Sequence, residues 1–108
     1  MEFEKRYNDQ GQVAVLISAG YGAGWSTCSD ISSQTEAMLF DSRIVDAVLT
    51  GMPEDDIVEL CKSLGYDVYF GGVSGLYVEW LDEGTRFTVE EYDGAESIRT
   101  FDDLCYVA

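Results

Sequence analysis

Apolar and polar positions along the chain follow two different periods. Gln12 to Ala19 (Gln-Val-Ala-Val-Leu-Ile-Ser-Ala) is almost continuously apolar, rich in β-branched residues and bounded by Gly11 and Gly20, which predicts a largely buried strand. The glycine-rich stretch Gly20 to Trp25 follows as a loop. Between Asp41 and Thr50 the pattern changes to a helical one. Ile44, Val45, Val48 and Leu49 fall on one stripe, Asp41 suits the N-cap and Gly51 the position just past the end. Pro53 to Leu64 predicts a second helix, with Pro53 in its first turn, an apolar stripe of Ile57, Val58, Leu60, Cys61 and Leu64, and Gly65 as the stop.

The remainder alternates with period two. Asp67 to Phe70 reads as a short strand, and Gly71, Gly72 and Gly75 break the chain. Leu76 to Leu81 places Leu76, Val78 and Trp80 on one face, and Arg86 to Tyr92 places Phe87 and Val89 on one face. Asp93-Gly94 is a hairpin signal leading into Ser97 to Phe101, and Leu104 to Val107 reads as a last edge strand. A strand, then helices, then strands, with no second βαβ unit, predicts a single α+β domain over residues 1–108. Its sheet is expected to be mixed, mainly antiparallel, with two short helices.

Charge changes the picture most. The chain has 108 residues, 21 Asp+Glu against 6 Lys+Arg, and a formal net charge of -15. So few cations cannot release phosphate counterions, so direct binding of DNA or RNA is not expected, and an anionic membrane surface would repel the chain. There is no histidine, which excludes Ser-His-Asp and Cys-His catalytic devices and imidazole-ligated zinc. The composition is not that of a disordered tail: seven Tyr, five Phe and two Trp supply core material that a disordered acidic tail lacks. The charged N-terminus, Met1 to Arg6, and the shortness of the apolar run Val13 to Ile17 point to neither a signal peptide nor a bilayer span, and a cytoplasmic protein is expected.

Three motifs carry candidate chemistry. Gly20-Tyr21-Gly22-Ala23-Gly24-Trp25-Ser26-Thr27 has the glycines of a phosphate cradle, but not the spacing of a dinucleotide fingerprint nor the lysine of a P-loop. Its plain reading is a turning loop on which Trp25 packs, and Tyr21 and Trp25 are also favoured interface anchors. The acids form two groups. Glu54, Asp55, Asp56 and Glu59 open a helix, where the macrodipole favours them. Glu79, Asp82, Glu83, Glu90, Glu91, Asp93 and Glu96 crowd a predicted hairpin region, where like charges on neighbouring strands are destabilising. Tyr77 and Tyr92 stand among them as further candidate anchors. A Glu79–Glu90 acid–base pair for glycoside hydrolysis is disfavoured by the small size of the chain, and no enzymatic activity is expected. Cys28, Cys61 and Cys105 are odd in number and without close pairs, which argues against a disulfide framework. Cys61 and Cys105 read as small core hydrophobes. Three thiolates with Asp30 would satisfy a structural zinc ion, although no C-x-x-C pair supports one and no cofactor is otherwise expected.

The segments Ser18 to Thr27 and Gly84 to Ser97 resemble motifs in small acidic proteins of phages and prophages, and together cover about a quarter of the chain. The resemblance implies no catalytic residue. It implies a mobile genetic element in a bacterial host, where such proteins include inhibitors of host defence and anti-CRISPR proteins that mimic DNA. Duplex DNA carries one charge per roughly 1.7 Å of axis, so an excess of 15 charges on a small domain approaches that of a DNA segment of similar length. The expected function is therefore inhibition: the acidic residues dock on a basic nucleic-acid-binding groove of a host protein, a CRISPR effector nuclease being the partner implied. The alternative is a non-enzymatic phage accessory protein that binds a virion or host protein, its charge serving solubility.

Overall fold

The first strand, β1 (Gln12–Ser18), lies between two apolar clusters, and every residue in it after Gln12 is buried. The computed structural model describes residues 3–19, 25, 33–66, 73, 75–92, 95–99 and 106–108, with the backbone alone for 33, 34, 91 and 92. Three helices follow β1: α1 (Ser33–Phe40), α2 (Ser42–Leu49) and α3 (Glu54–Ser63). The remaining elements are β2 (Leu76–Asp82), β3 (Arg86–Tyr92), β4 (Ala95–Arg99) and β5 (Tyr106–Val107). The class is α+β, and the described strands pair antiparallel in two sheets, β1-β2 and β4-β3-β5.

The register of β1 on β2 sorts side chains between the clusters. Ala14, Leu16 and Ser18 stand opposite Trp80, Val78 and Leu76. On this face Ala14 and Leu16 pack with Ile44, Val45 and Ala47 of α2 and Ile57 and Cys61 of α3, and Leu76, Val78 and Trp80 close the cluster. Val13, Val15 and Ile17 stand opposite Leu81, Glu79 and Tyr77 and pack on the other face with Leu39, Phe40, Phe87 and Tyr106. A strand covered on both sides has no polar face, which is why its sequence runs apolar without alternating.

The second cluster is built on aromatic rings. Phe3 stacks on Phe40 with centroids 6.2 Å apart, Phe40 meets Phe87 edge-on at 5.9 Å, and Phe87 lies 5.5 Å from Tyr106. These offset and edge-to-face arrangements suit the ring quadrupoles. Lys5 ties the N-terminal segment across this row. Its Nζ sits 4.7 Å from the Phe40 centroid and donates to the Val107 carbonyl at 3.0 Å.

Both foreseen helices are present. Asp41 is the N-cap of α2 and accepts from the Arg43 N–H at 3.0 Å. Gly51 and Gly65 follow α2 and α3 at φ 78° and 96°. Met52 N–H reaches the Ala47 carbonyl and Tyr66 N–H the Cys61 carbonyl, the bonds that close a Schellman turn and need a left-handed residue. The expectation of two helices misses α1. Ala37, Met38, Leu39 and Phe40 are consecutive and all buried, because α1 is wedged between the clusters, Ala37 and Met38 in one and Leu39 and Phe40 in the other. Such a helix shows no amphipathic stripe.

The strands fall close to expectation, with β4 shifted two residues toward the N-terminus because Tyr92 pairs with Ala95 and leaves only two residues for the turn. Those residues, Asp93 and Gly94, lie outside the described residues, as do 67–70, read as a short strand, and Leu104 and Cys105, read as the start of the last strand, of which Tyr106–Val107 is seen.

Candidate functional site

The acidic residues do not form one surface. Glu54, Asp55 and Asp56 occupy the first turn of α3 and Glu59 the next, and all four side chains are exposed. Pro53 supplies no side-chain cap, so these carboxylates sit where main-chain N–H groups lack partners. Asp82 and Glu83 are exposed at the β2–β3 turn, and Glu90 points outward from β3. The helix α3 contributes Ile57 and Cys61 to the cluster on one face of β1, β3 contributes Phe87 to the cluster on the other, and Glu79 and Asp82 lie on β2 in the sheet itself, so the two acidic groups belong to different layers. Glu90 is also compensated, with its Oε2 2.8 Å from Arg99 Nε. Glu79 is half-buried opposite Val15, on the face turned to the second cluster. Glu91 stands opposite Glu96 in the register, and Asp93 lies outside the described residues.

Glu96 corrects the sequence reading. It is only 5% exposed and cannot belong to a docking surface. One carboxylate oxygen accepts from the Ser18 N–H at 2.8 Å and the other from the Trp25 N–H at 3.0 Å, tying β4 to the end of β1 and to Trp25. A buried carboxylate is tolerable when main-chain donors replace water in this way. Trp25 is corrected too. It is fully buried, and its indole Nε1 donates to the Met38 carbonyl at 2.7 Å, so it is a core residue and no partner anchor. Tyr21 lies outside the described residues, and Tyr92 contributes its backbone to the end of β3. Tyr77 does reach the surface, at 38% exposure. Partial burial pushes its phenol up, and the charges of Glu79 and Glu96 add to the shift. Tyr7, which the sequence reading did not single out, is also exposed, and so is Leu49, a correction to its place on the apolar stripe of α2, because it sits on the last turn where the cluster ends. Glu83 beside the Tyr7 hydroxyl, with some burial, holds its phenol above the ordinary value.

The cations are largely engaged within the chain. Arg6 lies 3.0 Å from Asp46, Arg43 pairs with Asp41, Arg99 pairs with Glu90, and Lys5 lies on Phe40 and the Val107 carbonyl. Asp41 is fully buried and more than a cap. Arg43 donates to both of its oxygens, at 3.0 and 2.7 Å, and the Tyr66 hydroxyl donates to Oδ2 at 2.8 Å. Burial alone would push this carboxyl up, but the bonds from the Arg43 and Tyr66 side chains, with the Arg43 N–H and charge, outweigh it and hold it below the ordinary value. The only hint of this network in the sequence was the N-cap aspartate itself.

Of the four candidate zinc ligands Cys61 is described, and it is fully buried in the α2–α3 cluster. Burial, and then the charge of Asp41, push its thiol up to about 12. Cys28, Asp30 and Cys105 lie outside the described residues, and among the described residues no three His, Cys, Asp or Glu side chains are grouped to hold a metal ion. No helix among them is long and apolar enough to cross a membrane. No family model, curated protein or solved structure matches the chain.

Proposed function

We propose that this chain is a non-enzymatic binding protein whose outward carboxylates dock on a basic, nucleic-acid-handling surface of a partner protein. The observation that carries the reading is the pairing of charges. Arg6, Arg43 and Arg99 are engaged with carboxylates of their own chain, while Glu54, Asp55, Asp56 and Glu59 are exposed together on one helix. Such a surface raises the association rate with a basic groove and competes with nucleic acid for it. The narrower form of the proposal, suggested by the resemblance to small acidic phage proteins, is an anti-CRISPR-type inhibitor that blocks DNA binding by a Cas effector nuclease in a bacterial host cytoplasm. The α3 face replaces the hairpin as the leading contact, because Glu96 is buried and Glu90 is paired.

The test is capture from the lysate of a CRISPR-carrying bacterium, followed by a salt titration with the purified partner. A captured nucleic-acid-binding protein whose affinity falls steeply with salt supports the proposal. The Asp55→Asn, Asp56→Asn, Glu59→Gln variant is expected to lose most of that affinity while remaining folded. Full retention removes α3 from the interface. A second reading, an accessory protein docking through apolar contacts with its charge serving solubility, is favoured by the exposure of Leu49 at 51%, at the end of α2. It predicts a shallow salt dependence and loss of binding in Leu49→Ala.

A further inference from the structure

The glycine-rich segment has the composition of an anion cradle and no ligand motif to go with it. Its two ends explain this. Ser18 precedes the segment and Trp25 follows its last glycine, and their main-chain N–H groups converge on one carboxylate, at 2.8 and 3.0 Å. Along the edge of β1 away from β2, the Gln12 N–H is taken by the Asn8 side chain and the Ala14 N–H by the Arg6 carbonyl, so the Ser18 N–H continues a row of donors met from outside the sheet. Two main-chain N–H groups aimed at one point form an anion-binding site. Here the anion comes from β4, and it is 5% exposed. Among the described residues, Tyr77 and Glu79 of β2 are the charged and titratable groups nearby, and Glu91 stands opposite Glu96 in the β3–β4 register. The Glu79 carboxylate would add repulsion to a further anion, and the Tyr77 phenol, held neutral, brings no positive charge to attract one.

We propose that the neck of the glycine-rich segment is an oxyanion site whose resident occupant is Glu96. The glutamate latches Trp25 and β1 to β4 and shuts the site to phosphate and other external oxyanions. This inference is independent of the proposed function.

Chemical rescue tests it. Glu96→Ala and the unaltered protein are melted in sodium formate and in sodium chloride at equal ionic strength. The variant is expected to melt lower in chloride and to recover in formate. At about ten times its Kd, formate favours the folded variant roughly tenfold, which lifts the midpoint by about 5 °C or more for a domain of this size. The unaltered protein should show no such difference, nor any gain specific to phosphate. Equal responses of the two proteins to formate overturn the proposal, and so does a phosphate-specific gain in the unaltered protein. If Glu96→Ala folds in neither salt, amide exchange in Glu96→Gln decides. The carboxamide offers one acceptor oxygen where the carboxylate offered two, so one of the Ser18 and Trp25 amides should exchange at least about tenfold faster. Unchanged protection at both overturns the latch.

Discussion

The Tyr66 hydroxyl donates a 2.8 Å hydrogen bond to the buried carboxylate of Asp41, so the residue that caps α2 also holds the chain leaving α3. With Arg43 on the same carboxylate, this network fixes the angle between two helices that share one apolar cluster. Tyr66→Phe removes one charge-assisted bond and is expected to cost about 1–2 kcal/mol in urea unfolding. Asp41→Asn keeps a capping side chain but loses the charge, and is expected to cost about 2 kcal/mol, a value held down by the half-exposed Arg43.

The same carboxylate sets a pH dependence. Asp41 has a lower pKa folded than its unfolded value near 3.8, so its contribution is complete above that value and is lost as pH falls through the folded one. The stability gap between the unaltered protein and Asp41→Asn should therefore be flat from about pH 5 to 7 and shrink below about pH 4. The difference between the two proteins is the quantity to follow, because protonating the other carboxylates relieves self-repulsion in both. A gap that persists unchanged at the acid end contradicts the assignment.

Cys61 should be chemically silent in the folded state. A thiol moved from 9.0 to about 12 loses roughly a thousandfold in thiolate at mildly alkaline pH, before steric protection is counted. Alkylation by iodoacetamide, read by mass mapping of the Cys61 peptide, should be negligible in native buffer and rapid in urea.

Trp25→Phe should report on the core and leave partner binding intact. It strips the Met38 carbonyl of its indole donor and leaves a small void, for an expected loss of about 2 kcal/mol in urea unfolding. If the folded variant also loses its partner, Trp25 has a role that its burial does not explain.

Surface charge should matter far less to stability. Arg99 and Glu90 are both half-exposed, so Arg99→Ala is expected to change stability by no more than about 0.5 kcal/mol. Thermal melting of that variant beside Glu96→Ala contrasts an outward ion pair on this hairpin with an inward carboxylate.

Local pattern alone determined much of this protein. The apolar run of β1, the stripes of α2 and α3 with Asp41, Gly51 and Gly65 at their ends, and the alternation of β2 and β3 are set by neighbours within a few residues, and a reader of the sequence sees them. The absence of histidine and the excess of carboxylates are equally visible, and they bound the chemistry. Tertiary structure decided the rest. The helix α1 has no stripe because both of its sides are covered, and only the packing of two clusters reveals that. The acids of residues 79–96 read as one group, yet strand register turns Glu90 outward to Arg99 and Glu96 inward to donors 78 and 71 residues away, at Ser18 and Trp25. A carboxylate carries the same charge in either place. Whether it faces a partner or holds the core together depends on which distant main-chain groups the fold brings to it, and no local pattern encodes that.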